Sequence, residues 1–109
     1  MNNETVNEKD WKLFRKKIII WQENYIAKLN DGYISVLTSD ASPEDKFREL
    51  ERRINRDKRS TGVSVDMRRS AMFTNLVRLI SDGVITPGDL EGFSDEIREK
   101  TDFLFNEEG

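Results

Sequence analysis

The chain of 109 residues contains no cysteine and no histidine. Without cysteine it forms neither a disulfide framework nor a thiolate zinc site, and without histidine it lacks the usual acid or base of neutral pH. The longest apolar run covers only residues 18–21, whereas a membrane span needs roughly 20 apolar residues. The first ten residues are polar and do not have the pattern of a signal peptide. We therefore expect a cytoplasmic protein with no membrane partner.

Apolar residues are also scarce: the hydrophobic fraction is 36%, equal to the charged fraction. This length fits one domain, and a chain of this size buries only about two thirds of its unfolded surface. We predict a single helical domain over residues 1–109 with a modest core and frayed ends at 1–6 and 106–109. Self-association, as a homodimer, is an expectation that would add to its stability.

Charge is distributed unevenly along the chain, although the net charge is only −3. Residues 46–69 carry nine basic and four acidic side chains, net +5, whereas residues 70–109 carry three basic and nine acidic ones, net −6. The first 45 residues are close to balance, at net −2. An asymmetry of this kind is informative about partners or internal pairing and not about the fold.

The first helix is predicted from Thr5 and Glu8, which have capping-box spacing. An apolar stripe at steps of three and four follows, formed by Trp11, Phe14, Ile18, Trp21 and Tyr25, and it continues to Leu37. Asn30, Asp31 and Gly32 could end the helix or be tolerated at a cost of about 1 kcal/mol. Because the stripe resumes beyond them, we favour one long helix to about Thr38.

Three shorter helices are predicted after it. Ser42 and Pro43 are a strong helix start, and Phe47, Leu50 and Ile54 mark the buried face of a second helix that ends near Arg59. A third helix over about 65–81, capped by Gly83, has Phe73, Leu76, Val77 and Ile80 as its stripe, widened by Met72 and Leu79. A fourth opens at Thr86 and Pro87, with a core face of Leu90, Phe93, Ile97 and Leu104. The fold class is therefore all-α, a compact bundle of about four helices with a long N-terminal helix.

An arginine ridge is the sharpest feature of the sequence. On a helical wheel, Arg48, Arg52, Arg56 and Arg59 fall within about 80° of one another, opposite the predicted apolar face of the second helix. Arg48 can pair with Glu44, and Arg53 with Glu49 or Asp57, but Arg52, Arg56 and Arg59 have no acidic residue at i±4 within the helix. Arg68 extends this surface if the 60–64 loop folds back, while Arg69 is expected to pair internally. The simple alternative is that these arginines form a solvated helical face and bind no partner.

No residue pattern indicates chemistry. The acidic residues Glu91, Asp95, Glu99 and Asp102 lie opposite the core stripe of the fourth helix, on a face expected to be exposed, so neither a metal site nor acid–base catalysis is predicted. They could instead dock on the arginine ridge of a second copy. The tryptophans and Tyr25 have core spacing, although an aromatic interface would use the same residues. No phosphate-binding loop is present, so we expect no cofactor and no enzymatic activity.

Five segments resemble a group of small proteins from Firmicutes. They are WKLFRK at 11–16, WQENY at 21–25, ELERRI at 49–54, GVIT at 83–86 and FSDE at 93–96. The resemblance covers residues 10 to 100 approximately. It implies a bacterial or mobile-element accessory protein, and it assigns no catalytic or binding residues.

From these patterns we predict a non-enzymatic helical interaction module. It would bind another macromolecule, a protein or nucleoprotein, through Arg48, Arg52, Arg56, Arg59 and Arg68. One alternative is a phage or mobile-element inhibitor of a host or defence nucleoprotein complex, since such inhibitors are small and lack catalytic residues. Another is a nucleic-acid-binding protein, whose affinity would fall steeply with salt.

Overall fold

The first helix, α1, extends from Glu8 to Leu37 in the computed structural model, which describes residues 7–106. Its N-cap is Asn7, whose side-chain oxygen accepts hydrogen bonds from the backbone N–H groups of Lys9 (2.8 Å) and Asp10 (3.2 Å). These are two of the amides that the first turn of a helix leaves without a partner. The helix therefore begins at Glu8, while the predicted cap, Thr5, lies outside the described residues.

α1 continues without interruption through residues 30–32, so the prediction of one long helix is confirmed. Gly32 lies beside the second helix, where a Cβ atom would be 3.8 Å from a guanidinium nitrogen of Arg53. A glycine inside a helix costs about 1 kcal/mol relative to alanine. Packing of this half of α1 against the second helix offsets that cost.

The second helix, α2, extends from Pro43 to Asp57, close to its predicted bounds. Ser42 caps it by accepting a hydrogen bond from the N–H of Asp45 at 3.2 Å. A proline in the first turn loses nothing, because its missing N–H would have had no helical partner.

α2 folds back against the second half of α1 to form an antiparallel helical hairpin. Tyr33 donates a hydrogen bond to Oδ2 of Asp57 (2.6 Å), and Gln22 donates one to the carbonyl oxygen of Thr61 (3.0 Å). Asp57 is the one residue of α2 that is fully buried. The hydrogen-bonded contact with α1 is thus made by a polar residue of α2. The prediction of a buried apolar face is wrong for Phe47 and Ile54, which are exposed, whereas Leu50 is half-buried.

The third helix, α3, extends from Met72 to Ser81 and follows a short 3₁₀ turn at Arg69–Ala71. It begins seven residues later than predicted because local hydrogen bonds hold the preceding segment out of a helix. The amide of Asn75 donates to the carbonyl oxygen of Asp66 at 2.7 Å, and the Asp66 carboxylate accepts from the N–H of Arg68 at 3.0 Å. Gly83 ends the helix with a φ of 79°, as expected for a left-handed cap.

The fourth helix, α4, extends from Asp95 to Asn106 and not from Thr86. Pro87–Leu90 forms a separate 3₁₀ turn, and the chain then passes through Gly92 with a φ of 98°, a conformation that no helix continues through. Ser94 restarts the helix by accepting a hydrogen bond from the N–H of Ile97 at 3.3 Å.

The hydrophobic core is formed by the first half of α1, α3, the 3₁₀ turn at 87–90 and α4. The rings of Trp11 and Phe14 stack with centroids 5.9 Å apart, and those of Trp21 and Phe93 with centroids 6.4 Å apart. The predicted stripe of α3 is rotated, because Leu79 and Met72 are buried with Leu76 while Phe73, Val77 and Ile80 are half-buried. On α4 the core face ends at Thr101, and Leu104 is exposed instead of buried.

Two buried polar contacts join distant parts of the chain. The carboxylate of Asp10 accepts hydrogen bonds from the N–H and the hydroxyl of Ser94, at 2.8 and 2.7 Å. The N–H and hydroxyl of Thr61 donate to one oxygen of Asp82, at 3.0 and 2.7 Å. The first contact fixes the start of α4 on α1, and the second fixes the segment after α2 on the end of α3.

The described chain is therefore all-α, with four helices and a long N-terminal helix, which confirms the predicted fold class. It measures 57 × 31 × 21 Å, with the core at one end and the hairpin at the other. No helix within residues 7–106 combines the length and apolar character that a bilayer crossing requires. The predicted frayed ends lie outside the described residues, apart from Asn106, the last residue of α4.

Candidate interaction surfaces

The arginine ridge lies on an exposed face of α2. Arg48, Arg52 and Arg56 are exposed on α2, and Arg59 is exposed in the turn that follows it. Arg48 and Arg52 point away from α1, whereas Arg56 binds the carboxylate of Asp57 beside the α1 contact. The structure therefore brings together four of the five arginines predicted as a partner-binding surface.

Three of these arginines hold carboxylates of their own helix. Arg48 pairs with Glu44 at 2.9 Å, as predicted, and Arg52 pairs with Glu49 at 2.6 Å across three residues. Arg56 binds its neighbour Asp57 at 3.0 Å. Arg59 makes no salt bridge with any residue in the range 7–106. Arg52 and Arg56 thus have acidic partners within α2, at i−3 and i+1, which the i±4 spacing did not predict.

Glu49 is the most strongly affected carboxylate of the ridge. Hydrogen bonds from Arg52 and then from Arg53 lower the pKa of Glu49 to about 2, and the same contact raises the pKa of Arg52 above its ordinary value. Exposed ion pairs of this type contribute little to stability, because water and salt screen them. They are therefore easily exchanged for the carboxylates of another molecule.

Arg68 and Arg69 are not on the ridge. Arg68 is exposed and pairs with Asp66, on the segment that joins α2 to α3. Arg69 pairs with Glu8 at 2.8 Å, and its guanidinium lies 5.8 Å from the centroid of the Trp11 ring. The expectation of internal pairing for Arg69 is confirmed, whereas Arg68 stays apart from the other four predicted residues.

A second surface, the open apolar face, covers one side of the hairpin. We define it by the half-buried Ile26 and Leu50 and the exposed Leu37, Phe47 and Ile54. Phe47 is the most exposed of them, at 68% of its full surface. The three α2 residues have the i, i+3, i+7 spacing of a helix that packs its apolar side, but Phe47 and Ile54 are left exposed and Leu50 is only half-buried. Large apolar groups left open in this way are typical of an interaction site.

Helical geometry places the two halves of this face on one side. The line of contact passes through Gly32 and Tyr33 on α1 and through Arg53 and Asp57 on α2. At 100° per residue, Ile26 and Leu37 lie about 90° from that line on α1, and Phe47 and Ile54 lie about 90° from it on α2. Viewed from one end of the hairpin, the two antiparallel helices wind in opposite senses. A rotation of about 90° from the contact line therefore brings the apolar residues of α1 and those of α2 to the same side of the hairpin. The arginine ridge lies on the other side of α2.

A third feature, the basic groove, adjoins this face along the first half of α1. It has a volume of about 770 Å³ and lies between α1 and residues 63–67. Its apolar lining comes from Ile18, Ile19, Val63, Val65 and Met67, and its charged wall from Lys12, Arg15 and Lys16. All three cations are exposed, and none forms a salt bridge with the rest of the described chain. The groove can therefore accept an apolar side chain accompanied by carboxylates.

The wall of the groove is held by a tight contact between a glycine and an aromatic ring. Gly62 is buried against the ring of Tyr25, and a Cβ at this position would be only 2.2 Å from Cδ2 of that ring. Because Gly62 immediately precedes the groove lining, this contact positions residues 63–67 on α1.

The Tyr33–Asp57 pair holds the hairpin together. Burial, followed by the hydrogen bond to Asp57, raises the pKa of Tyr33 to about 12. Burial opposes ionisation of Asp57, but hydrogen bonds from Tyr33 and Arg56 outweigh it and hold the pKa of that carboxyl below its usual range. Both side chains are occupied in the contact between α1 and α2, so the role of the pair is structural.

The acidic residues on α4 and in the segment before it do not form a site. Glu91, Asp95, Glu99 and Asp102 are exposed, and Asp95 pairs with Arg98. Within residues 7–106 no three acidic side chains come close enough to hold a metal ion. These carboxylates remain a solvated face of the fold.

Family models, curated proteins and solved structures offer no match to this chain. The similarity of residues 10–100 to small Firmicutes proteins therefore stays a prediction. Any assignment of function has to be made from the surfaces themselves.

The open apolar face and the basic groove were both missed at the level of sequence. The spacing of Lys12, Arg15, Lys16 and Ile19 was a visible signal, since all four lie on one flank of the buried stripe of α1. Residues 63–67, which complete the groove, are more than 40 positions away from that flank. No local pattern in the sequence joins the two.

Proposed function

We propose that this protein is a non-enzymatic interaction module whose arginine ridge binds an acidic surface of a protein partner. The observation that carries the proposal is the exposure of four arginines that follow one another along α2 and the turn after it. Arginine suits this role because its planar group binds a carboxylate through two parallel hydrogen bonds. Binding would replace the ridge's own weak ion pairs by pairs with the partner.

Protein is favoured over nucleic acid by the charges next to the arginines. Glu44 and Glu49 lie among them and would repel a phosphate backbone, while a protein surface of mixed charge can satisfy both signs. Such charges increase the rate of association and the specificity more than the affinity. A cytoplasmic setting is part of this proposal, since a fold that has no cysteine loses nothing in a reducing compartment.

The test is affinity capture from a native lysate, with and without nuclease. The ridge variant carries Arg52→Glu, Arg56→Glu and Arg59→Glu. The control variant changes the net charge equally at Lys9, Arg78 and Arg98, which are exposed cations of α1, α3 and α4. We expect the wild type and the control to capture the same partner after nuclease treatment and the ridge variant to lose it.

Three outcomes would contradict the proposal. They are capture that ridge reversal leaves unchanged, capture that the control variant loses equally, and capture that nuclease abolishes. The last of these would move the assignment to a nucleic-acid partner.

A further inference from the structure

We propose that two copies of this chain form an antiparallel dimer, in which Phe47 of each copy enters the basic groove of the other. The open apolar face and the basic groove form one continuous surface, on the side of the molecule opposite the arginine ridge. The inference goes beyond the proposed function, because a dimer of this kind leaves both ridges free for a partner.

The apolar content of this surface supports the dimer. Phe47 is 68% exposed and Ile19, on the groove, is 65% exposed, and Leu37, Ile54 and Met67 are exposed around them. Five of the nine large hydrophobic side chains that the described residues leave exposed thus belong to one surface. In such a dimer the open side of each hairpin is covered by the first half of α1 of the other copy.

The size of the surface fits a stable dimer. From Lys12 to Leu37 the surface follows 25 residues of α1, about 38 Å at 1.5 Å per residue. Residues 63–67 lie beside the first half of this length and α2 beside the second, which gives a width of about 20 Å. The product is about 750 Å², close to the roughly 800 Å² that each partner buries in a stable complex.

The positions along α1 fit a two-fold axis near Ile26. Phe47 packs at the level of the end of α1, about 11 residues from Ile26, because Arg53 lies beside Gly32 and α2 runs antiparallel. A two-fold axis at Ile26 places the Phe47 of one copy the same distance beyond Ile26 in the opposite direction, at the level of Arg15 of the other copy. That level is the centre of the basic groove. The groove, at about 770 Å³, has room for an aromatic ring.

Charge is complementary in the same arrangement. The tip of the hairpin carries the exposed acidic residue Asp40, and the exposed Glu51 lies one helical turn after Phe47 on the same side of α2. The two-fold axis brings this tip against Lys12, Arg15 and Lys16 of the other copy, which have no salt bridge within the described chain. In an isologous dimer this favourable contact is made twice.

The experiment is sedimentation velocity over a range of protein concentrations, with light scattering to give the mass. The wild type should pass from 12.8 kDa to twice this mass as concentration rises. Phe47→Ser should weaken association at least 30-fold, as is typical for removal of an aromatic side chain that fills a pocket of the partner, and here the loss occurs at both grooves. Phe103→Ser is the matched control, because Phe103 is 67% exposed but lies on α4, and it should leave association unchanged. Circular dichroism verifies that both variants keep the helical content of the wild type.

A charge exchange tests the geometry independently. Lys12→Glu with Lys16→Glu should weaken the dimer, and so should Asp40→Lys with Glu51→Lys. The chain with all four changes should recover at least half of the lost association, because both contacts are restored with reversed signs. A wild type that stays monomeric, a dimer that Phe47→Ser leaves intact, an equal loss in Phe103→Ser, or no recovery in the fourfold variant would each overturn the proposal.

Discussion

Replacement of Gly62 by alanine tests the contact that positions the groove wall. The new Cβ would lie 2.2 Å from Cδ2 of Tyr25 and 2.6 Å from both Cγ and Cε2. Carbon atoms prefer separations of about 3.5–4.0 Å, so the ring and the 60–64 loop have to move apart by roughly 1.4 Å. Overpacking of this kind costs about 1–3 kcal/mol, and we expect Gly62→Ala to destabilise the protein by that amount.

The sign of the effect should depend on Tyr25. Gly62 does not have a positive φ, so its backbone conformation is open to alanine. Without a clash, a glycine-to-alanine change stabilises a protein by about 0.4–1 kcal/mol, because it restricts the unfolded chain. In a Tyr25→Ala background we therefore expect Gly62→Ala to be stabilising. The coupling energy between the two positions should be about 1.5–4 kcal/mol, the sum of the two effects.

The assay is equilibrium unfolding in urea, followed by far-ultraviolet circular dichroism for the four chains of the cycle. All four are compared at one chain concentration, since association would raise the midpoint. Gly62→Ala should lower the midpoint in the wild type and raise it in Tyr25→Ala. The reasoning would be refuted by a neutral effect in the wild type, or by the same cost in both backgrounds.

Two further predictions concern the buried polar contacts. The raised pKa of Tyr33 means that the contribution of this residue to stability is complete below pH 10 and is lost as the pH rises to about 12. An ultraviolet absorbance titration of the folded protein should show one of the two phenols ionising near pH 12, and Tyr33→Phe should remove that step. Ionisation of both phenols near pH 10 in the folded wild type would argue against the contact. Asp10→Ala should lower the free energy of unfolding in urea by about 1–3 kcal/mol, because it leaves the N–H of Ser94 without its acceptor inside the fold. The control, Asp95→Ala at an exposed position, should change it by less than about 0.5 kcal/mol. Equal effects of the two changes would contradict the structural role of Asp10.

The helices were predictable where the signals are local. Ser42 and Pro43 start α2 and Gly83 ends α3 because a cap or a left-handed turn is decided by a few neighbouring residues. The breaks before α3 and α4 were not foreseen. Hydrogen bonds around Asp66 and the positive φ of Gly92 displace both starts towards the C-terminus, and neither feature changes the apolar spacing from which the helices were predicted.

The arginine ridge was predictable as a helical face, but its surroundings were not. A helical wheel places Arg48 and Arg59 on one side of α2, and it places Phe47 and Ile54 opposite them. The wheel does not say which side meets another helix. In the fold, α2 contacts α1 through Asp57 and Arg53, since Tyr33 and the small Gly32 provide a polar, close-fitting partner there. The apolar side is left open as a result, and this reverses the prediction for Phe47 and Ile54.

Because α1 is uninterrupted, the fold should tolerate a change in the number of its residues less well than a change in their type. The first half of the helix belongs to the core and the second half carries the hairpin, with no joint between them. One residue inserted near Ile26 would turn the hairpin by about 100° and advance it by 1.5 Å relative to the core. The line on which α2 lies would then point away from the 60–64 segment, and the groove and Phe47 would no longer lie on the same side. Substitutions along the solvent side of α1 leave this alignment intact, whereas insertions and deletions within it do not.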